Sequence, residues 1–122
     1  MLATSLFIIF GRVEKNLGRG RKLGYPTANF PIAADAPEGI FVGYTTVKDR
    51  RLPSLIFVGP AITFGETDKK AEIYILDFDE DIYDQIIEVD VVKKLRDNIK
   101  FASAEELTEQ MKQDEVEARK FF

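Results

Sequence analysis

The chain has 122 residues, 45% of them hydrophobic, which is material for one packed domain over residues 1–122; no apolar run approaches the ~20 residues of a membrane span. Cysteine and histidine are absent, which excludes thiol nucleophiles, disulfides, Cys/His zinc sites and histidine acid–base chemistry; a general base must be a carboxylate, lysine or tyrosine, and a metal must be held by oxygen. The net charge of −4 argues against nucleic acid as a general partner, and the lack of cysteine fits a reducing compartment, with the cytoplasm as the expected location.

The first apolar run, residues 6–10, lacks the basic approach and small-residue exit of a signal peptide, and it opens a predicted strand over residues 6–13. A basic stretch comes next: Arg12, Lys15, Arg19, Arg21 and Lys22, with Glu14 the only acid between Arg12 and Lys22. A local positive patch on an acidic chain suits a small anion better than a polyanion. Further strands are predicted over residues 40–47, 55–58, 72–78 and 86–92, where β-branched and aromatic residues are bounded by Gly, Pro and Asp. Alternation puts Glu72, Tyr74, Leu76 and Phe78 on one face, and Ile87, Val89 and Val91 inward with Glu88 and Asp90 toward water. Ser103 and Glu106 form a capping box that starts a closing helix, along which Leu107, Met111, Ala118 and Phe121 make an apolar stripe. Asp114 falls on that stripe, either meeting a buried partner or lying at its wet edge. Short strands and one terminal helix predict a mainly β fold: a small closed antiparallel barrel of Greek-key type with a C-terminal helix.

Gly18, Gly20 and Gly24, interleaved with Arg19, Arg21 and Lys22, bring backbone amides and cations together as a phosphate site requires, or make a flexible basic turn. Neither common nucleotide fingerprint is met: a Walker A loop needs glycine where Leu23 or Tyr25 stands, and Gly24 comes one position late for the dinucleotide pattern. Pro26 stiffens the chain just beyond it, so that Thr27 and Asn29 in an extended run point to one side. A hydroxyl and an amide oxygen side by side suit Mg²⁺; they also suit local turn hydrogen bonds.

The run Gly18-x-Gly20-Arg21-x-Leu23-Gly24-Tyr25-Pro26-Thr27-Ala28-Asn29-Phe30, preceded by Gly11-x-Val13, resembles the signature of the riboflavin kinase family. That family includes stand-alone kinases and the C-terminal module of bifunctional FAD synthetases. The resemblance continues through residues 72–78, through Asp81-Ile82-Tyr83, and through Leu95-Arg96 to Asp114. It implies an ATP- and Mg²⁺-dependent transfer of phosphate to the ribityl 5′-hydroxyl of riboflavin, giving FMN. Thr27 and Asn29 are then expected to hold Mg²⁺ and the nucleotide phosphates. Gly18, Gly20 and Arg21 would belong to a loop over ATP, Glu72 would act as the catalytic base, and Arg96 would lie at the flavin. The expected partners are riboflavin or FMN and ATP or ADP, with no membrane and no nucleic acid. The chain is either a stand-alone kinase or a piece of a longer protein with an adenylyltransferase domain.

Three positions depart from the family pattern: Phe57 stands where asparagine is common, Ile62 where proline is, and Asp84 where glycine is. The first two bear on the geometry of residues 57–65 and keep open a non-catalytic flavin- or nucleotide-binding module, while aspartate tolerates a left-handed turn. A β-barrel interaction domain that meets an acidic partner through its basic loop is a third reading. The kinase expectation requires Thr27, Asn29 and Glu72 to converge around a shared small-molecule cavity.

Overall fold

The computed structural model describes residues 5–14, 27–60, 65 and 68–122. Six strands, β1 (Phe7–Arg12), β2 (Ala28–Pro31), β3 (Gly39–Val47), β4 (Arg50–Gly59), β5 (Lys70–Ile75) and β6 (Ile86–Arg96), precede one helix, α1 (Ala104–Phe121). All pairings are antiparallel, in the order β1-β6-β3-β4-β5-β2. The meander β3-β4-β5 with β6 returning beside β3 is the Greek-key arrangement expected. The barrel is nearly closed: β1 and β2 share no ladder, but the Glu14 amide donates to the Asn29 carbonyl at 2.8 Å.

Two apolar clusters explain the strand sequences. Inside the barrel, Phe30, Phe41, Ile56, Val58, Ile73, Ile87, Val89 and Val91 pack together. On the outer face of β3 and β4, Ile40, Val42, Leu55 and Phe57 pack against Leu107, Met111 and Ala118 of α1. Both central strands are therefore buried on both sides, which is why residues 55–58 read as a continuous apolar run rather than an alternation. Burying each large apolar side chain contributes roughly 1.5–3 kcal/mol, so the helix is held chiefly by this contact.

Several boundaries differ from the sequence expectation. Strand β2 forms where only an extended run was read, because β5 offers it a ladder. Strand β4 begins five residues early, at Arg50, across Pro53. The proline is tolerated because the β4–β5 ladder ends at Ser54, leaving Pro53 to accept at its carbonyl from the Leu76 amide, at 3.0 Å. Strand β6 continues past Val92 through Lys93 and Lys94 to Arg96, with β3 as its partner. Strand β5 ends at Ile75, and the chain turns at Asp77 (φ 56°), so Phe78 packs on the inner cluster and not on the face of Glu72. Asp90, expected in water, is a partly buried partner of Arg51 at 3.0 Å.

The helix starts as its sequence predicts. Ser103 accepts from the Glu106 amide at 3.2 Å, and the Glu106 carboxylate reaches back to the Ala102 amide, one residue before the cap. Glu105 and Glu106 in the first turn and Arg119 and Lys120 in the last complement the helix dipole. Arg119 joins Glu115 to Asp77, and its hydrogen bond holds the Asp77 carboxyl below the ordinary carboxylate range.

Gly11 closes the barrel against β2: a Cβ there would lie 2.0 Å from Cδ2 of Phe30, a side chain with no exposure. Gly11→Ala is expected to destabilise the chain by about 1–3 kcal/mol through overpacking, and Ser103→Ala by about 1 kcal/mol through loss of the cap. Urea titration at constant slope measures both, and an unchanged midpoint in either variant contradicts the corresponding contact.

Candidate active site

The β2–β5 ladder sets Asn29 directly opposite Glu72, so the two side chains leave the sheet on the same face. Thr27, two residues before Asn29, lies on that face as well, its Oγ1 3.5 Å from Oε1 of Glu72. At that length the contact is loose and leaves the oxygens close without committing them to each other. Asn29 is 1% exposed and Glu72 2%. Ala28 and Phe30, the alternate residues of β2, pack on the inner cluster and fix which way the polar pair points. Thr27, Asn29 and Glu72 come together on the outer wall of the barrel, while neither of the two clefts beside this wall is lined by any of the three.

Glu72 is not the solvated strand-opening residue that its sequence position alone suggests, because both flanking strands cover it. Phe57 of β4 stands opposite it on the other side, buried beneath α1. Residue 57 thus departs from the family pattern at a position in direct register with Glu72. The row continues through Ile40 of β3, opposite Phe57, to Arg96 of β6, opposite Ile40. Asn29, Glu72, Phe57, Ile40 and Arg96 therefore cross five strands in one line. Arg96 lies three strands from Glu72, about 14 Å at the usual strand spacing.

Arg96 is engaged with the helix. Its Nε donates to Oδ1 of Asp114 at 2.8 Å and its Nη2 to Oδ2 at 2.7 Å, while Nη1 donates to the Asp97 carbonyl at 3.0 Å. The guanidinium sits 5.8 Å from the ring centre of Phe101, and Gln110 donates to Oδ1 of Asp114 at 3.0 Å. Asp114, placed on the stripe by helical spacing, is itself buried and has met a partly buried partner; that the partner is Arg96 was not readable from the chain.

Two clefts flank this row without being lined by Glu72. One, about 480 Å³, lies on the first half of α1 between Phe101, Glu105, Glu109 and Gln110, beside Arg96. The other, about 550 Å³, lies between Gly11–Glu14, Phe30–Pro31 and Tyr83–Asp84, at the ends of β1 and β2. Asp84 has φ 68°, the left-handed conformation anticipated for an aspartate in place of glycine, and Arg12 donates to its carbonyl at 2.9 Å. Tyr83, flagged in the sequence only as part of an acidic–aromatic segment, forms a wall of this cleft. Gly18, Gly20, Arg21 and Ile62 lie outside the described residues.

A threonine hydroxyl and an asparagine amide oxygen are oxygen donors of the kind that fits a hard divalent cation sharing its shell with phosphate oxygens, with the Glu72 carboxylate beside them. Among the described residues no helix is long and apolar enough to cross a membrane.

Residues 4–122 match the family model described as Flavokinase: Riboflavin kinase. The chain belongs to the riboflavin kinase family. A relative from Escherichia coli (strain K12), named bifunctional riboflavin kinase/FMN adenylyltransferase, is 34% identical over 119 residues, covering 95% of this chain. The chain spans 38% of that relative's length. A solved structure named macrolide-efflux protein, from Streptococcus pneumoniae, superposes with TM-score 0.77 at 32% identity, covering 92% of this chain and 38% of the other. Riboflavin kinase from Trypanosoma brucei superposes with TM-score 0.64 at 21% identity, covering 93% of this chain and 78% of the other, a likeness of fold.

Proposed function

We propose that this chain transfers the terminal phosphate of ATP to the ribityl 5′-hydroxyl of riboflavin, giving FMN. The observation that carries the proposal is the convergence of Thr27, Asn29 and Glu72 on one face within a family of riboflavin kinases. Phosphoryl transfer asks little covalent chemistry of a protein; it depends on positioning and on neutralising charge, with a group that orients the attacking hydroxyl.

In this scheme Glu72 accepts the proton of the 5′-hydroxyl as oxygen attacks phosphorus. Its burial keeps the carboxylate from competing water, and with histidine absent a carboxylate is the natural base. Thr27 Oγ1 and Asn29 Oδ1 hold Mg²⁺, which when bound neutralises the phosphate charge. Arg96, which the family resemblance puts near the flavin, meets the flavin end of the substrate. The cleft at Gly11–Glu14 and Tyr83–Asp84 is the proposed place of the nucleotide, and Gly18, Gly20 and Arg21 are proposed to contribute to the same binding. The proposed use of ATP and small substrates is consistent with the expected cytoplasmic location. The name of the Escherichia coli relative couples this activity to FMN adenylyltransfer, so the FMN formed here is proposed to pass to an adenylyltransferase unit, on the same chain or another.

Glu72→Gln is expected to lower the rate of FMN formation at least ~100-fold, the lower range for a general base, with melting behaviour retained. Near-normal turnover removes Glu72 from the role of base. Thr27→Ala and Asn29→Ala are each expected to shift the Mg²⁺ dependence of FMN formation to higher concentration; an unchanged dependence refutes the metal assignment. Phe57, in register with Glu72, favours the non-catalytic module as the second reading. Wild-type protein that binds riboflavin and ATP·Mg²⁺ but forms no FMN supports that reading against the kinase.

A further inference from the structure

Strand β1 is apolar on both faces. Phe7 and Ile9 turn inward onto the barrel cluster, while Leu6, Ile8 and Phe10 alternate with them and face outward. Leu6 keeps this parity because its amide continues the ladder to the Val91 carbonyl at 2.7 Å. Ile86 of β6, opposite Arg12, lies on the same outer face and diagonal to Phe10, within reach of an aromatic ring. Leu6 is 55% exposed, Ile8 48%, Phe10 66% and Ile86 64%. Strands β3 and β4 are apolar on both sides as well, but α1 covers their outer face. The exposure of the β1 side chains shows that no described element does the same for them. Nor is the outer wall apolar throughout: Asp90 and Glu88 of β6, opposite Ile8 and Phe10, bound the patch with acid. Barrel packing needs only the inward residues of β1, so the outward ones have no role within the chain.

Size and composition of the patch point to a second copy of this chain as its occupant. At these exposures the four side chains present roughly 400 Å² of apolar surface, the size of the largest patch on an ordinary monomer and often a functional one. The other large exposed apolar side chains among the described residues lie on separate elements: Tyr83 at the cleft beside β1, Ile99 after β6, Val116 on α1 and Phe122 after it. Among the described residues there is therefore no second apolar patch for a head-to-tail contact, and a copy can match this face only with its own. Two such faces with their polar borders bury about 1,000–1,200 Å² in all, at the low end of specific interfaces, where pairing is reversible. We infer that the outer face of β1, with Ile86 of β6, is an isologous interface on which two copies pair about a two-fold axis. Arg12 ends the same outer row and also lines the cleft of about 550 Å³, so the paired face borders that cleft. Pairing through this face is independent of whether the chain is a kinase.

Sedimentation velocity of the wild-type chain tests this over a range from about 5 to about 500 µM, which brackets the weak affinity expected of so small an interface. The expected outcome is a shift from monomer to dimer that is half complete at tens of micromolar, on the order of a small reversible interface, and goes no further. Phe10→Glu and Ile86→Lys each put a charge on the face and are expected to weaken pairing at least about ten-fold. Both side chains are already mostly in water, so the fold is retained. Val116→Lys, at an exposed apolar position on α1, leaves pairing unchanged. Because the chain has no cysteine, Ile8→Cys supplies a single thiol on the face. That variant is expected to be captured as a dimer by a short bismaleimide, and Val116→Cys is not. A wild-type chain that stays monomeric throughout the range overturns the inference, as does a dimer that survives both Phe10→Glu and Ile86→Lys. Growth beyond the dimer overturns the two-fold closure, and cross-linking of Val116→Cys equal to that of Ile8→Cys overturns the choice of face. If Phe10→Glu does not fold, Phe10→Thr keeps a strand former at that position. The same direction of loss is expected there, and unchanged pairing overturns the inference.

Discussion

Antiparallel register is the constraint on which the rest of this molecule depends. Once Asn29 pairs with Glu72, two polar side chains far apart in the chain become neighbours, and Thr27, 45 residues before Glu72, arrives on the same face. A slip of one residue would turn Glu72 into the barrel interior and bring Ile73 out. That alternative buries an ionisable group among isoleucines and valines with no partner, a cost of several kcal/mol or more. The apolar residues around the site thus enforce its geometry: Phe30, Ala71, Ile73 and Ile75 hold the register that keeps the polar groups together.

The same sheet is covered twice. Strands β3 and β4 fill the barrel with one face and receive α1 on the other, and this double burial defines a row across the outer wall with a polar end at Asn29 and Glu72 and a cationic end at Arg96. Apolar contact supplies the attraction between helix and sheet, while Arg96 and Asp114 supply direction. The division is reasonable on energetic grounds. Hydrophobic burial scales with area and tolerates sliding, whereas a bidentate ion pair is satisfied at one position.

Family membership and local departures fit the same physical picture. The chain matches the riboflavin kinase family over nearly its whole length, yet Phe57 brings an aromatic ring into register with Glu72, and Asp84 takes a left-handed position on the wall of the cleft between β1 and β2. The first changes what borders the carboxylate and leaves the Thr27–Asn29 side of the site untouched. The second is accommodated by local hydrogen bonds: the Asp84 amide donates to the Val13 carbonyl at 2.9 Å, and Arg12 holds its carbonyl.

Much was settled by consecutive residues alone. An apolar run marked β1, alternation marked β5 and β6, the capping box placed the start of α1, helical spacing put Asp114 on the apolar stripe, and the motif around Pro26 named the residues to watch. These are local properties, written in the preferences and periodicities of neighbours along the chain. The chain did not reveal that β2 is a strand, that β4 crosses Pro53, that β6 outlasts two lysines, or that Arg96 is the partner of Asp114. Each of those depends on which strand or helix lies alongside. A ladder supplies hydrogen bonds that rescue weak strand formers, and a buried carboxylate selects whichever cation the packing brings within reach. Pairing and packing act between residues distant in sequence, so they were decided only when the barrel closed and the helix docked.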